Sequence, residues 1–255
     1  MTEISASEVM SLRQKTGVSM MACKKALLEA KGDMAAAEIV LRKQGEAKAA
    51  SKRDRVTSEG AIAISGNTII SVRCETDFVA RNEDFLTFVQ DLASEGAKNG
   101  AKAVESKFEA GKTEKIAKIG ENLTLGDVRT VDAPVLGGYV HSNRKIGALI
   151  GLSGGTKEVA ADIAMHVTAM NPLVLSPNDV SNDLVEKEKE IWRDQLKNEG
   201  KPAEIVEKIM MGKERKFREE SALIAQAFVK DQQKTVGEYA KQNGAEVKAF
   251  ARVEV

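Results

Sequence analysis

Hydrophobic residues recur at helical spacing three times within the first 45 residues, and each run lies between a capping residue and a glycine. Ser and Asp favour helix starts because their side-chain oxygens accept hydrogen bonds from the first amides, whereas glycine favours helix ends. Because so small a bundle buries little apolar surface, docking suits it better than chemistry. The pattern predicts three short helices, bounded by Ser5 and Gly17, by Ser19 and Gly32, and by Asp33 and Gly45.

The polar residues 46–57 follow and are rich in lysine and arginine. We interpret them as a helical or flexible linker. A solvated face is the simpler explanation of their charge, and a contact with an acidic partner is the alternative.

A β-hairpin is predicted next. Residues 61–65 and 68–75 alternate in hydrophobicity and flank a Gly-Asn pair at 66–67, which suits a tight turn with positive φ. Asn82 can then cap a helix with hydrophobic residues at helical spacing.

The same order of strand, turn, strand and helix occurs a second time. Residues 139–141 and 146–152 predict a hairpin, and Thr156 can cap the helix after it. The intervening residues 97–125 are irregular to helical in pattern. Two such units indicate duplicated α+β subdomains.

A charged helical hairpin is predicted between residues 177 and 228, where two amphipathic arms are separated by a break at 200–202. Long amphipathic helices joined by a short break are typical of an antiparallel coiled-coil pair. A short helix at 235–243 and a half-buried strand at 247–255 complete the pattern.

The predicted fold class is therefore α+β. It combines an N-terminal three-helix module, which resembles a ubiquitin-associated module, with two core subdomains that contain antiparallel sheets and with an inserted coiled-coil hairpin. We expect the helical module and linker at 1–54, the first core subdomain at 55–137 and the second at 138–255, with the hairpin at about 180–228.

Composition narrows the function classes. Thirty-eight basic residues balance 38 acidic ones, so no overall field attracts the protein to nucleic acid or to a membrane surface. No apolar run is long enough to cross a bilayer, and the first residues lack the basic and apolar regions of a secretory signal. We therefore expect a cytoplasmic protein with no membrane partner and no direct nucleic-acid partner.

Candidate chemistry is sparse. The glycine-rich stretch at 151–158 fits neither a phosphate loop nor a dinucleotide motif, and a turn is the better interpretation. Cys23 and Cys74, with two histidines, do not have the spacing of a zinc site. We interpret Cys74 as a buried inert thiol and His166 as a packed helix residue, while His141 lies beside a turn, where exposure and contact are more plausible. No cofactor, metal or catalytic site is expected.

Asp77 and Phe78 form the conspicuous pair, because they lie at a predicted strand-to-helix junction where loops commonly carry function. Two interpretations remain open. Phe78 covers the end of the sheet while Asp77 caps the turn, or the ring projects into a partner's pocket while the carboxylate makes a polar contact beside it.

Two stretches carry a family resemblance. LRQKTGVSMMACKKAL at 12–27 and CETDFVARN at 74–82 resemble signatures of the elongation factor Ts family. Further stretches agree with the family in order and cover nearly the whole chain: KIGENL, YVH followed by RKIGALIG, IAMHV, DVSNDLVEKE and AEVKAFARVEV.

The resemblance implies a non-enzymatic guanine nucleotide exchange factor that promotes GDP release from the GTPase elongation factor Tu. By matching position, it implies that Thr76, Asp77, Phe78 and Val79 enter the GTPase and dislodge its magnesium. It also implies partner contacts at Arg13, Met20, Met21, Lys24, Lys52, Ile119, His141 and Val229.

Two further expectations complete the interpretation. Some relatives continue beyond the position of Val255 into a helical module, whose contacts should be missing here. The alternative function class is a binding adaptor that uses the helical module and the hairpin as arms. An enzyme with an unfamiliar site is disfavoured, because His, Cys and paired carboxylates do not cluster in the sequence.

Overall fold

The computed structural model describes residues 4–199 and 202–255, which form two compact units. The first runs through Arg129 and includes Glu254–Val255, and the second comprises Thr130–Val253. Both units mix helices with small sheets, so the predicted α+β class is confirmed. The finer boundaries at residues 54 and 137 stay predictions. No helix in the described parts of the chain has the length and apolar character needed to cross a membrane.

Three helices open the first unit, as predicted. Ser5 accepts a bond from the Glu8 amide while the Glu8 carboxylate accepts one from the Ser5 amide, which forms a capping box. Leu12, Cys23 and Leu27 are fully buried between the helices. The helices are α1 (Ala6–Thr16), α2 (Met20–Glu29) and α3 (Met34–Lys52).

The predicted end of α3 at Gly45 is wrong, because the helix continues to Lys52. Gly45 does not adopt the left-handed conformation that ends a helix, and it is buried. A Cβ there would lie 3.0 Å from the Cβ of Ala117, so the glycine marks a close approach to α6 (Ala101–Ile119). The residue thus serves packing rather than termination.

The first core is carried by a three-stranded sheet of β1 (Glu59–Ser65), β2 (Thr68–Cys74) and β3 (Thr124–Thr130), in that order. Strands β1 and β2 pair antiparallel with Ala61 opposite Val72, and Gly66 turns between them with φ 51°. Helices pack on this sheet over a core that includes Phe85 and Phe108. The elements are β1 (Glu59–Ser65), β2 (Thr68–Cys74), α4 (Asp77–Ala80), α5 (Glu83–Asn99), α6 and β3 (Thr124–Thr130).

Strand β3 was not predicted, and residues 101–119 form a regular helix. The strand contains Gly126 and Asp127, which have low strand propensity. A Cβ at Gly126 would lie 2.3 Å from the Ser71 hydroxyl oxygen, and that oxygen accepts a bond from the Asp127 amide. The strand therefore depends on a long-range contact that local pattern does not reveal.

The second unit is built on a sheet of β4 (Val135–Val140), β5 (Ile146–Leu152) and β8 (Val247–Glu254), in that order, and α7 (Lys157–Met170) packs against it. Strand β4 begins at Val135, earlier than the predicted start at 139. The prediction missed its first residues because Gly137, which lies directly under α7, weakens the strand pattern. The elements are β4 (Val135–Val140), β5 (Ile146–Leu152), α7 (Lys157–Met170), α8 (Asn182–Asn198), α9 (Ala203–Ser221), β6 (Ala227–Phe228), β7 (Asp231–Thr235), α10 (Val236–Gln242) and β8 (Val247–Glu254).

Helices α8 and α9 form the predicted antiparallel hairpin, but its predicted end at 228 is wrong, because α9 ends at Ser221 and Phe228 lies in β6. The rings of Trp192 and Phe217 meet edge to face at 5.8 Å between centroids, and Lys189 lies 2.8 Å from Glu214. Pro202 precedes α9, whereas the other two residues of the predicted break, at 200–201, lie outside the described residues. Coiled-coil packing along the pair stays a prediction.

Candidate functional site

Phe78 is the most exposed large hydrophobic residue of the described chain, with 83% of its surface accessible. It lies in α4, a single helical turn that begins where β2 ends. Its neighbour Val79 packs against the core of the first unit, and Ala80 is buried. Phe78 therefore does not cover the end of the sheet, and the turn beneath the ring is anchored.

Asp77 is the first residue of α4, but the cap is Thr76, whose hydroxyl oxygen accepts a bond from the Val79 amide at 3.4 Å. The interpretation that Asp77 caps the turn is wrong. Its carboxylate lies 3.3 Å from the Arg81 guanidinium on the solvent side, one helical turn away. An exposed pair of this kind adds little stability, so the carboxylate can exchange its partner at small cost.

Glu121, which lies outside the turn at 76–79, forms hydrogen bonds to the chain where that turn begins. One carboxylate oxygen accepts bonds from the Glu75 and Thr76 amides, both at 3.0 Å. The other accepts the Thr76 hydroxyl at 2.6 Å. Charged acceptors make shorter and stronger hydrogen bonds than neutral ones, so this carboxylate fixes the chain directly before Asp77.

A second set of bonds joins the same segments. The Glu75 carboxylate accepts a hydrogen bond from the backbone amide of Asn122 at 2.7 Å and lies 3.3 Å from the Arg55 guanidinium. The buried Asn122 side chain donates to the carbonyls of Arg53 and Arg55 at 3.2 and 2.9 Å. The turn is thus tied both to the segment after α6 and to the segment after α3.

Lys52 and Ile119 lie near these tied segments. Ile119, the last residue of α6, is half-buried and packs against the first core, two residues before Glu121. The Lys52 amine lies beside Gly120, 3.9 Å from where a Cβ on that glycine would be. The first unit therefore places Lys52, Ile119 and the turn at 76–79 beside the segment that contains Gly120 and Glu121.

The predicted contacts of the N-terminal module are all exposed on α1 and α2. Met21 has 66% of its surface accessible, although the module has a core of its own. Lys24 lies one helical turn after the two methionines, so charge and apolar surface adjoin. The four residues are Arg13, Met20, Met21 and Lys24.

In the second unit, His141 lies exposed at the turn between β4 and β5. Its amide donates to the Ile146 carbonyl at 2.9 Å, and its ring makes an edge contact with Tyr139 at 6.5 Å between centroids. The expected exposure of this residue is confirmed, while its contact role stays a prediction.

Val229 lies 41% exposed in the turn between β6 and β7, and its amide donates to Nδ1 of the buried His166 at 3.1 Å. Nε2 of that ring lies 2.9 Å from the Gln226 side-chain oxygen. Because an amide can only donate, Nδ1 is unprotonated and the ring proton lies on Nε2. Burial lowers the pKa of His166, so the neutral ring is favoured.

The packed interpretation of His166 is confirmed, and the structure adds that the ring supports the turn that presents Val229. Sequence reasoning also missed Glu121 and Glu75 as supports of the turn at 76–79. The two glutamates lie 46 positions apart, and only their place beside two conspicuous segments signals a connection.

The exposed apolar side chains of the described residues suit contact with another protein. Within residues 4–199 and 202–255, His, Cys, Asp and Glu form no group of three or more that could hold a metal ion. Cys23 and Cys74 are buried thiols. What the described chain offers outward is an apolar ring on a braced turn, together with exposed methionines.

Comparison with known proteins identifies the family. The family model described as Elongation factor TS matches residues 75–255. Elongation factor Ts of Marinobacter nauticus is 44% identical over 265 residues, covering 100% of this chain and 92% of the relative. The protein of the same name from Hahella chejuensis is 44% identical and covered to 93%, and that from Francisella tularensis subsp. novicida is 45% identical over 269 residues and covered to 93%. Since both comparisons agree over most of its length, this chain belongs to the elongation factor Ts family of translation elongation factors.

Proposed function

We propose that this protein is a guanine nucleotide exchange factor for the GTPase elongation factor Tu. It binds the GDP-bound GTPase and promotes GDP release, so that GTP can bind during translation elongation in the cytoplasm. The observation that carries the proposal is Phe78, an exposed ring on a turn that is anchored on its core side and braced by Glu121. Membership of the elongation factor Ts family supports it.

The mechanism follows from how GTPases hold nucleotides. Backbone amides surround the phosphates, and magnesium offsets their charge. Phe78 enters the partner and wedges its elements apart, with Thr76, Asp77 and Val79 lining the same contact. The partner's magnesium ligands then move, the metal is dislodged and the phosphates lose their counter-charge. GDP affinity falls as a result.

Thermodynamic linkage gives the same result without any covalent step. A factor that binds the nucleotide-free GTPase better than the GDP-bound form must lower GDP affinity by the same coupling free energy. Incoming nucleotide displaces the factor in return. The protein therefore acts as a binding partner and not as an enzyme, and it requires no catalytic residue.

Further contacts supply the binding energy that supports distortion at Phe78. Attachment at several points raises overall affinity without requiring any single tight contact. The exposed methionines of α2 are the strongest apolar candidates, since Met21 is open to solvent despite its size. The proposed contacts are Arg13, Met20, Met21, Lys24, Lys52, Ile119, His141 and Val229.

Stopped-flow release of a fluorescent GDP analogue from elongation factor Tu tests whether Phe78 wedges the partner's elements apart. Phe78→Ala should slow factor-stimulated release by about 10- to 100-fold, which corresponds to an activation free energy raised by about 1.4–2.7 kcal/mol, the size of an interface hot spot. Because the ring is exposed, the variant should stay as stable as the wild type. Met211→Ala, which shortens a 74% exposed side chain on α9, is the matched control and should stimulate GDP release at the wild-type rate. A folded Phe78→Ala protein that stimulates GDP release at the wild-type rate would exclude a wedging role for Phe78.

A further inference from the structure

We propose that Glu121 is the positioning residue that aims Phe78, an inference that rests on the exchange function proposed above. Both oxygens of its carboxylate are committed to the two residues before Asp77. Glu121 lies 45 positions after Thr76 in the chain, in the loop between α6 and β3. The loop after one helix thus orients the start of another.

The Thr76 hydroxyl transmits this constraint. It donates to Glu121 at 2.6 Å and accepts from the Val79 amide at 3.4 Å. These two bonds fix the threonine side chain between the carboxylate and the first turn of α4. Since Phe78 lies in the middle of that turn, the direction of its Cα–Cβ bond follows from the same contacts.

The bracing is reciprocal. Glu121 accepts amides from residues 75 and 76, while Glu75 accepts the amide of Asn122 at 2.7 Å. Each segment therefore supplies a carboxylate to the backbone of the other. Asn122 adds the bonds to the carbonyls after α3, so three chain segments are joined at one place.

A wedge does work only if its base resists rotation. When the partner pushes against Phe78, a loose turn would rotate, and binding energy from the other contacts would not displace the partner's elements. A braced turn transmits that energy to the ring. Loss of Glu121 should thus lower the maximal exchange rate more than it lowers affinity.

The brace is testable in the isolated protein by amide hydrogen exchange. In Glu121→Ala, the amides of Glu75 and Thr76 should exchange at least about fivefold faster, the change expected when one net hydrogen bond is lost. Strand β1 serves as the internal reference and should exchange as in the wild type. Unchanged exchange at Glu75 and Thr76 would overturn the proposal whether or not the protein acts on elongation factor Tu.

GDP release then tests the consequence for function. Glu121→Ala should lower the maximal rate at saturating factor by about tenfold, while the half-saturating concentration changes less than about twofold. Glu121→Gln keeps the size and one acceptor oxygen, so it should fall between Ala and the wild type and serves if the Ala variant folds poorly. Glu109→Gln, an exposed carboxylate on α6, is the control and should behave as the wild type.

A double-mutant cycle separates positioning from general damage. If Glu121 acts through Phe78, then Glu121→Ala should add nothing to the loss caused by Phe78→Ala. Independent, additive losses would contradict the proposal, as would a wild-type maximal rate in Glu121→Ala. If the wild-type protein does not promote GDP release, the proposed exchange function is excluded. The hydrogen-exchange result still decides whether Glu121 holds the turn at 76–79.

Discussion

Phe78 and Val79 are adjacent residues with opposite environments, one exposed and one packed against the core. The sequence predicts the junction they occupy, because an alternating strand ends where a helix cap follows. It does not decide whether the ring covers the sheet or projects, since both outcomes have the same spacing. That choice depends on the direction of a four-residue helix, which distant residues such as Glu121 set.

His166 gives a residue-scale prediction for pH dependence. Its pKa is lowered in the folded state by burial, so the unfolded chain binds a proton at higher pH than the folded chain does. The contribution of His166 to the free energy of unfolding should therefore be fully present above a pH of about 6.5, the usual histidine pKa, and should fall as the pH drops below it. Protonation of Nδ1 would also remove the acceptor for the Val229 amide.

Urea unfolding between pH 7.5 and 5, both approximate limits chosen around the usual histidine pKa, measures this effect. His166→Gln should flatten the decline in this window. A His166→Gln variant that keeps the wild-type slope would contradict this account.

At the scale of elements, two of the missed stretches of strand share a physical cause. Strand β3 was missed and β4 was predicted only from residue 139 onward, and both contain a glycine where another element approaches closely. Such strands lose the alternation that predicts them, because contact with the rest of the fold selects the residues. Strand β6 was missed for a different reason, since it has only two residues. Helix caps were predicted well, since Ser5, Ser19 and Asp33 act locally.

The packing of β4 beneath α7 predicts a strong effect at one glycine. A Cβ at Gly137 would lie 2.5 Å from the Cβ of Ala160 and 2.6 Å from the Lys157 carbonyl oxygen. Gly137→Ala should therefore lower the free energy of unfolding by about 1–3 kcal/mol, because backbone must shift. Denaturant titration measures the change.

Gly212 is the matched control for that substitution. It lies within α9, and among the described residues nothing is within 4 Å of a Cβ placed there. Gly212→Ala should raise stability by roughly 0.5–1 kcal/mol, since alanine favours a helix over glycine. Equal effects at the two glycines would contradict the packing described here.

Helix α2 gives a prediction about docking. Met20→Ser combined with Met21→Ser should weaken affinity for elongation factor Tu by about tenfold, the loss typical of an apolar contact at an interface centre. The maximal exchange rate at saturation should change little, because the wedge is intact. Leu28→Ser, at a 51% exposed residue near the other end of α2, is the control, and a larger affinity loss there would reassign the contact surface.

For the whole molecule, physical patterns and family resemblance contributed different information. Composition and periodicity predicted an α+β protein with a helical docking module and no evident active site. The resemblance, carried by stretches such as CETDFVARN, supplied the family and the partner. The structure adds how the first unit holds its exposed ring, since carboxylates and amides 45 to 47 positions apart meet beside it. Contacts of that separation leave no periodic signal.

The central claim is that this protein accelerates nucleotide release from elongation factor Tu. The most direct measurement is the rate of GDP release from that GTPase with magnesium present, at increasing concentrations of this protein. The account predicts a saturable acceleration of at least about tenfold, which corresponds to an activation free energy of release lowered by roughly 1.4 kcal/mol or more. A release rate that stays at its basal value at every concentration would contradict it.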